Sequence, residues 1–98
     1  MLFVFHALDK LDHLDLRRAH TDEHVAYVKG ASSVKLVLAG PFIGADGESV
    51  IGSLIVVDAA DADTASAFFE NDPYNKAGLF EATRITAWRK TIGWNDPD

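Results

Sequence analysis

The segment Asn71-Asp72-Pro73-Tyr74-Asn75-Lys76-Ala77-Gly78-Leu79-Phe80 constrains this chain more than any other stretch. Proline at 73 drives Asp72 out of the α region, so a helix arriving from the N-terminal side must stop there. Gly78 supplies a second stop, and Leu79 to Lys90 then alternates loosely through Ile85, Ala87 and Trp88 as a last strand. The junction thus joins a helix to a strand and sets a carboxylate, a ring-locked proline and an aromatic hydroxyl between them. A carboxylate at the C-terminal end of a helix opposes the macrodipole. It needs another reason to be there, either a buried hydrogen bond or a chemical task.

The elements upstream follow from periodicity. Residues 2–8 are rich in β formers (Phe3, Val4, Phe5) and read as a central strand. Asp9 to His13 is polar and turn-like, Leu14 to Lys29 has helical spacing, and Gly30 closes the helix. Val34 to Ala39 is a β run ended by Gly40-Pro41, and Asp46-Gly47 is a turn signal. Val50 to Asp58 is the strand that completes a hairpin. Asp61 or Asp63 caps a helix over about residues 62–71, with Ala65, Phe68 and Phe69 on its apolar side.

The order β-α-β-β-α-β specifies an α+β fold of the ferredoxin-like, split β-α-β type. Its antiparallel sheet carries two helices on one face. The 98 residues make one domain, 1–98, with a small core. The bare sheet face then needs a cover, and pairing with a second copy of the chain is the natural solution.

A net charge of −6 disfavours nucleic acid, which needs a basic stripe to displace counterions. No apolar run approaches the roughly 18 residues of a membrane span. The apolar start lacks the basic leader and cleavage site of a signal sequence. Cysteine is absent, which removes disulfides and thiolate chemistry. The expectation is a cytoplasmic protein.

Arg17, His20, His24 and Tyr27 recur at spacings of three, four and three and share one face of the first helix. His20 and His24 stand at i and i+4, a spacing that can chelate a metal. The run His20-Thr21-Asp22-Glu23-His24 places its Glu before the second His, however, unlike the zinc-protease motif. Asp72, Asp46 and His13 are the third ligands open to proposal, and a solvated helix face is the preferred account of His20. No metal is expected. His24 and Asp72 are the more informative pair, because both helices of this fold lie on the same side of the sheet. An Asp on one imidazole nitrogen fixes the tautomer and leaves the other as acid or base. A purely structural His-Asp bond has the same sequence signature. Gly40, Gly44, Gly47 and Gly52 fit a hairpin and no phosphate-binding pattern. Ser49 and Ser53 lack a nucleophile signature and read as strand residues. Tyr74 either hydrogen-bonds a ligand or anchors the turn beside Pro73.

Taken together, these pieces resemble the YciI-like (YCII-related) family. The matching elements are Leu2–Leu8 with Asp9-Lys10, Leu14–Tyr27 with Arg17 and His24, Gly40-Pro41, Asp46-Gly47 and Gly52-Ser53-Leu54. They continue through Asp72-Pro73-Tyr74, Ala77-Gly78-Leu79 and Ile85–Trp88, in the family's order over nearly the whole chain. The resemblance implies a dimeric α/β barrel, similar in fold to muconolactone isomerases, with a site built on a His and an Asp that fall on His24 and Asp72. It also implies links to aromatic degradation, dehydrochlorination included, for some members. The chain departs from the pattern at Thr21, where many relatives carry an Arg three residues before the helix His. Arg17 or Arg18 would have to replace that Arg if it binds an anionic substrate.

The expected function is a small cofactor-independent enzyme of lyase, isomerase or dehydrochlorinase type. His24 and Asp72 would be catalytic, Arg17 and Tyr74 would bind substrate, and Phe3, Phe5, Phe42 and Phe68 or their neighbours would supply the apolar lining. The alternative is a dimeric accessory module that binds a small ligand without turnover.

Overall fold

A computed structural model of the chain describes residues 1–95. The order of elements is β1 (Leu2–Asp9), α1 (Leu14–Lys29), β2 (Lys35–Ile43), β3 (Val50–Asp58), α2 (Ala62–Glu70), α3 (Pro73–Lys76) and β4 (Phe80–Trp88). The four strands form one sheet in the order β2-β3-β1-β4, and every neighbouring pair is antiparallel. The last three residues of the polar tail lie outside the described residues.

Strand alternation sorts the side chains. Phe3, Phe5 and Ala7 of β1 stand opposite Val57, Ile55 and Ser53 of β3, and all six are buried beneath the helices. Phe5 stacks on Phe69 of α2 at 4.3 Å, and Tyr27 of α1 stacks on Phe68 of α2 at 4.9 Å. Both helices therefore cover the same sheet face, with the core between them and the strands. The opposite face presents Leu2, Val4, His6 and Leu8 beside Leu54, Val56 and Trp88. Trp88 is 46% exposed there.

Two boundaries differ from the sequence expectation. Gly40-Pro41 does not end β2, which runs on to Ile43. As an edge strand β2 tolerates a residue without an N–H. The second difference lies at Asp72. Pro73 does not simply break the chain but opens the four-residue helix α3 at its N1 position. Asp72 is the N-cap of that helix, with φ −61° and ψ 134°, and its carboxylate accepts the Tyr74 backbone N–H at 2.8 Å. The carboxylate thus stands at the favourable end of a dipole. The conflict implied by the sequence disappears because a new helix begins where the previous one ends. Of the two cap candidates for α2, Asp61 is used, accepting the Thr64 N–H.

Gly52 is required by a close approach. A Cβ there would lie 2.2 Å from the Ala7 carbonyl oxygen and 3.1 Å from the Phe42 ring. Backbone in the middle of a sheet cannot step aside. Gly52→Ala is expected to destabilise the fold by about 1–3 kcal/mol through overpacking. Urea unfolding measures this, and a midpoint equal to that of the parent chain would contradict the geometry. At the hairpin tip, the Ser49 hydroxyl, the Ser49 N–H and the Glu48 N–H all donate to Asp46 and hold its carboxyl down at about 2. This turn fixes Glu48 and Ser49 at the mouth of the cleft described next.

Candidate active site

The cleft lies between α1 and the β2–β3 hairpin, with a volume of about 680 Å³. Arg17, Thr21, His24 and Val25 line it from the helix, Ala39, Pro41, Ser53 and Ile55 from the strands, and Tyr74 from α3. The phenylalanines expected to line it are elsewhere. Phe3, Phe5 and Phe68 belong to the core, and Phe42 packs against His6 on the open sheet face. The physical reason is phase. Phe3 and Phe5 point toward the helices, but at the place where α2 presses down, and Phe42 has the opposite phase on β2.

His24 and Asp72 meet across two helices. Nδ1 of His24 lies 2.9 Å and 2.8 Å from the two Asp72 oxygens. Asp72 is fully buried, whereas the His24 side chain retains 12% exposure. A carboxylate only accepts, so the proton in this bond sits on Nδ1. Nε2 makes no hydrogen bond among the described residues, and no buried side-chain nitrogen or oxygen among them lacks a partner. Nε2 is therefore open to the cleft. With Nδ1 protonated, a neutral ring presents a lone pair there. Burial, followed by the negative charge of Asp72, pushes the Tyr27 hydroxyl above its usual pKa. That hydroxyl donates to the Phe68 carbonyl at 2.8 Å.

Arg17 is held more tightly than the sequence suggests. Nε and Nη2 donate to the Asp9 carboxylate at 2.6 Å and 2.9 Å, and Nη2 also reaches Ser53 Oγ at 2.9 Å. Both side chains of the ion pair are only 8% exposed. Burial works against the guanidinium charge, but the bonds to Asp9 and the nearby Tyr74 hydroxyl more than offset it, so its pKa lies above the ordinary arginine value. Arg18 is exposed at the rim.

Tyr74 sits between these two groups. Its ring stacks on the His24 imidazole at 4.1 Å, and the Arg17 guanidinium lies 4.6 Å from its centroid. The Thr21 hydroxyl donates to the Arg17 carbonyl at 2.8 Å, so the Tyr74 hydroxyl must donate to Thr21 across their 2.9 Å contact. Tyr74 is 2% exposed. It nevertheless lines the cleft beside Arg17 and His24. His20 faces Glu23 at 3.5 Å. Among the described residues no three His, Cys, Asp or Glu side chains cluster as metal ligands, and no helix is long and apolar enough to cross a membrane.

Asp9, Ser53 and Thr21 complete the constellation, and none had been assigned a site role from sequence. The signal for two of them was present. Asp9 continues the inward phase of Phe3, Phe5 and Ala7, and Ser53 that of Ile55 and Val57. A polar residue in the buried phase of a strand needs a partner.

The model of the YCII-related domain family matches residues 1–89. Protein YciI of Escherichia coli O6:H1 is 28% identical over 98 residues, covering 94% of this chain and all of that protein, and Protein YciI of Shigella flexneri matches equally. Among solved structures, 5-chloro-2-hydroxyhydroquinone dehydrochlorinase (TftG) from Burkholderia phenoliruptrix AC1100, in complex with 2,5-dihydroxybenzoquinone, superposes with a TM-score of 0.85. It is 33% identical and covers 93% of this chain and 96% of its own. The At3g17210 protein of Arabidopsis thaliana, 8% identical with a TM-score of 0.54, shares the fold alone. With its whole sheet, both long helices and the cleft inside the matched residues, the chain belongs to the YCII-related family.

Proposed function

We propose that this chain is a small enzyme that moves a proton on a hydroxylated ring without a cofactor, with His24 as the proton-transfer residue and Asp72 as its orienting partner. The observation that carries this reading is the division of the His24 ring, with Nδ1 bound to a buried carboxylate and Nε2 open to the cleft. The likeness to a dehydrochlorinase favours elimination of hydrogen chloride as the reaction class. In such a step Nε2 takes a proton from the ring substrate and the released electron pair enters the ring. Chloride leaves with the carbon–chlorine pair, and the imidazolium later returns its proton to water. Lactone isomerisation uses the same base and no leaving group. Arg17 and Tyr74 stand beside the reacting atoms, Arg17 as a donor and Tyr74 as the stacked floor.

The second copy expected from the bare sheet fits here as well. The open face offers Leu2, Val4, Leu54 and Trp88 with Arg84 among them, and a homodimer through it would complete an α/β barrel. Sedimentation equilibrium giving a monomer would reject that part.

A panel of chlorinated hydroxyhydroquinones and enol lactones, followed by chloride release and by deuterium uptake from solvent, tests the reaction. Release of chloride or proton exchange supports the enzyme. A ligand held tightly and recovered unchanged from every member of the panel would make the chain a binding module instead.

A further inference from the structure

Two donor groups that line the cleft are not used up by the bonds that hold Arg17 and Ser53 in place. Arg17 spends Nε and Nη2 on Asp9 and Ser53, which leaves Nη1 outside both bonds. Ser53 Oγ accepts from Arg17 Nη2, and its own O–H proton finds no acceptor among the described residues. The two groups are already joined at 2.9 Å, are 7% and 3% exposed as residues, and line the cleft. A donor that faces the cleft with bonding capacity to spare is available to a ligand oxygen. Asp9 locks the guanidinium plane, so these donors are fixed before any ligand arrives. Asp9 also cancels the guanidinium charge, which suits a delocalised oxygen better than a compact dianion such as phosphate.

Arg17 and His24 are two turns apart on α1, yet both side chains lean onto the same Tyr74 ring, at 4.6 Å and 4.1 Å from its centroid. Arg17 and His24 line the same cleft, so one ligand seated there can meet both. Ala39, Pro41, Val50 and Ile55 give the strand side of the cleft an apolar wall against which a ring can lie.

We infer that Arg17 Nη1 and Ser53 Oγ form an oxygen subsite, which selects a planar ring bearing an enolate, phenolate or quinone oxygen and sets it against His24. This deepens the proton-transfer reading of the same cleft and rests on it for the role of His24. The substrate class it names is a ring in which negative charge can spread onto that oxygen as the proton departs. The donors would then bind more strongly as charge develops, which is the condition for accelerating the step.

Isothermal titration with 2,5-dihydroxybenzoquinone, and with benzene as an oxygen-free ring, tests the subsite. The parent chain is expected to bind the quinone. Ser53→Ala should weaken that binding by about five- to tenfold and Arg17→Lys by about tenfold or more, with benzene affinity unchanged in both. Ser53→Ala keeps the Asp9–Arg17 pair and decides the question alone if Arg17→Lys fails to fold. No binding by the parent chain, or equal quinone affinity in Ser53→Ala, overturns the subsite. The two proposals fail separately. Binding that depends on Ser53 without any turnover sinks the proton-transfer role of His24 and leaves the subsite. Turnover with an affinity indifferent to Ser53 does the reverse.

Discussion

His24→Asn is expected to lower turnover of a chlorinated hydroxyhydroquinone by about 10²–10⁴-fold, the usual worth of a positioned general base. Asparagine is the informative substitution because its amide nitrogen falls near the place of Nδ1 and can still donate to the buried Asp72 carboxylate. The variant removes the Nε2 lone pair and little else, so stability should change far less than rate. Asp72→Asn makes the complementary change. Its amide offers a donor where Nδ1–H already donates, which favours the tautomer with the proton on Nε2 and leaves no lone pair toward the cleft. Comparable losses in the two variants, with the fold intact by circular dichroism, are the expected result. Undiminished turnover in His24→Asn would remove His24 from the chemistry. A loss confined to Asp72→Asn would mean that the carboxylate acts by some route other than through the imidazole.

The largest effect on stability is expected at Asp9. Asp9→Ala removes the partner of a guanidinium whose side chain is 8% exposed and leaves its charge beneath the helix. Breaking a buried pair from one side costs about 3–5 kcal/mol, most of it the penalty of the unpaired charge. For a domain of this size that is a large share of the total, since folded proteins are stable by only about 5–15 kcal/mol. Asp9→Leu combined with Arg17→Met should be less destabilised than Asp9→Ala alone, because the charge goes with its partner. Urea denaturation of the three chains measures both numbers. A loss below about 1 kcal/mol in Asp9→Ala would place the pair in the class of surface ion pairs and contradict its burial. Because Arg17 also lies against Tyr74, and Tyr74 against His24, the same variant should loosen the site at temperatures where the rest of the chain is still folded.

The element order was legible because each element carries its own period. Phe3 and Phe5 alternate, the α1 stripe repeats at three and four, and Asp46-Gly47 closes a hairpin in any context. The sequence also brought His24 and Asp72 forward as candidates, since a split β-α-β order places both helices on one sheet face. It did not reveal α3, because four residues are too few to show a helical period, and so the dipole argument at Asp72 came out with the wrong sign. It could not tell which phenylalanines face the cleft, since phase assigns a face of the sheet and not the position of the helix above it. It offered Tyr74 and Arg17 as ligand-binding side chains, but could not show that Tyr74 is buried or that Arg17 is held by Asp9 and Ser53.

By itself, then, the sequence determined the order and type of the main elements, the position of the turns, and the residue types available for chemistry. Those depend on interactions among residues close along the chain. Only the tertiary structure decided that Asp9, Arg17, Ser53, Thr21, Tyr74, His24 and Asp72 form one connected cluster. These contacts bridge up to fifty-three residues of sequence. Their partners are chosen by where α1, α3 and the hairpin come to rest on the sheet, a result of packing the whole core that no local pattern encodes.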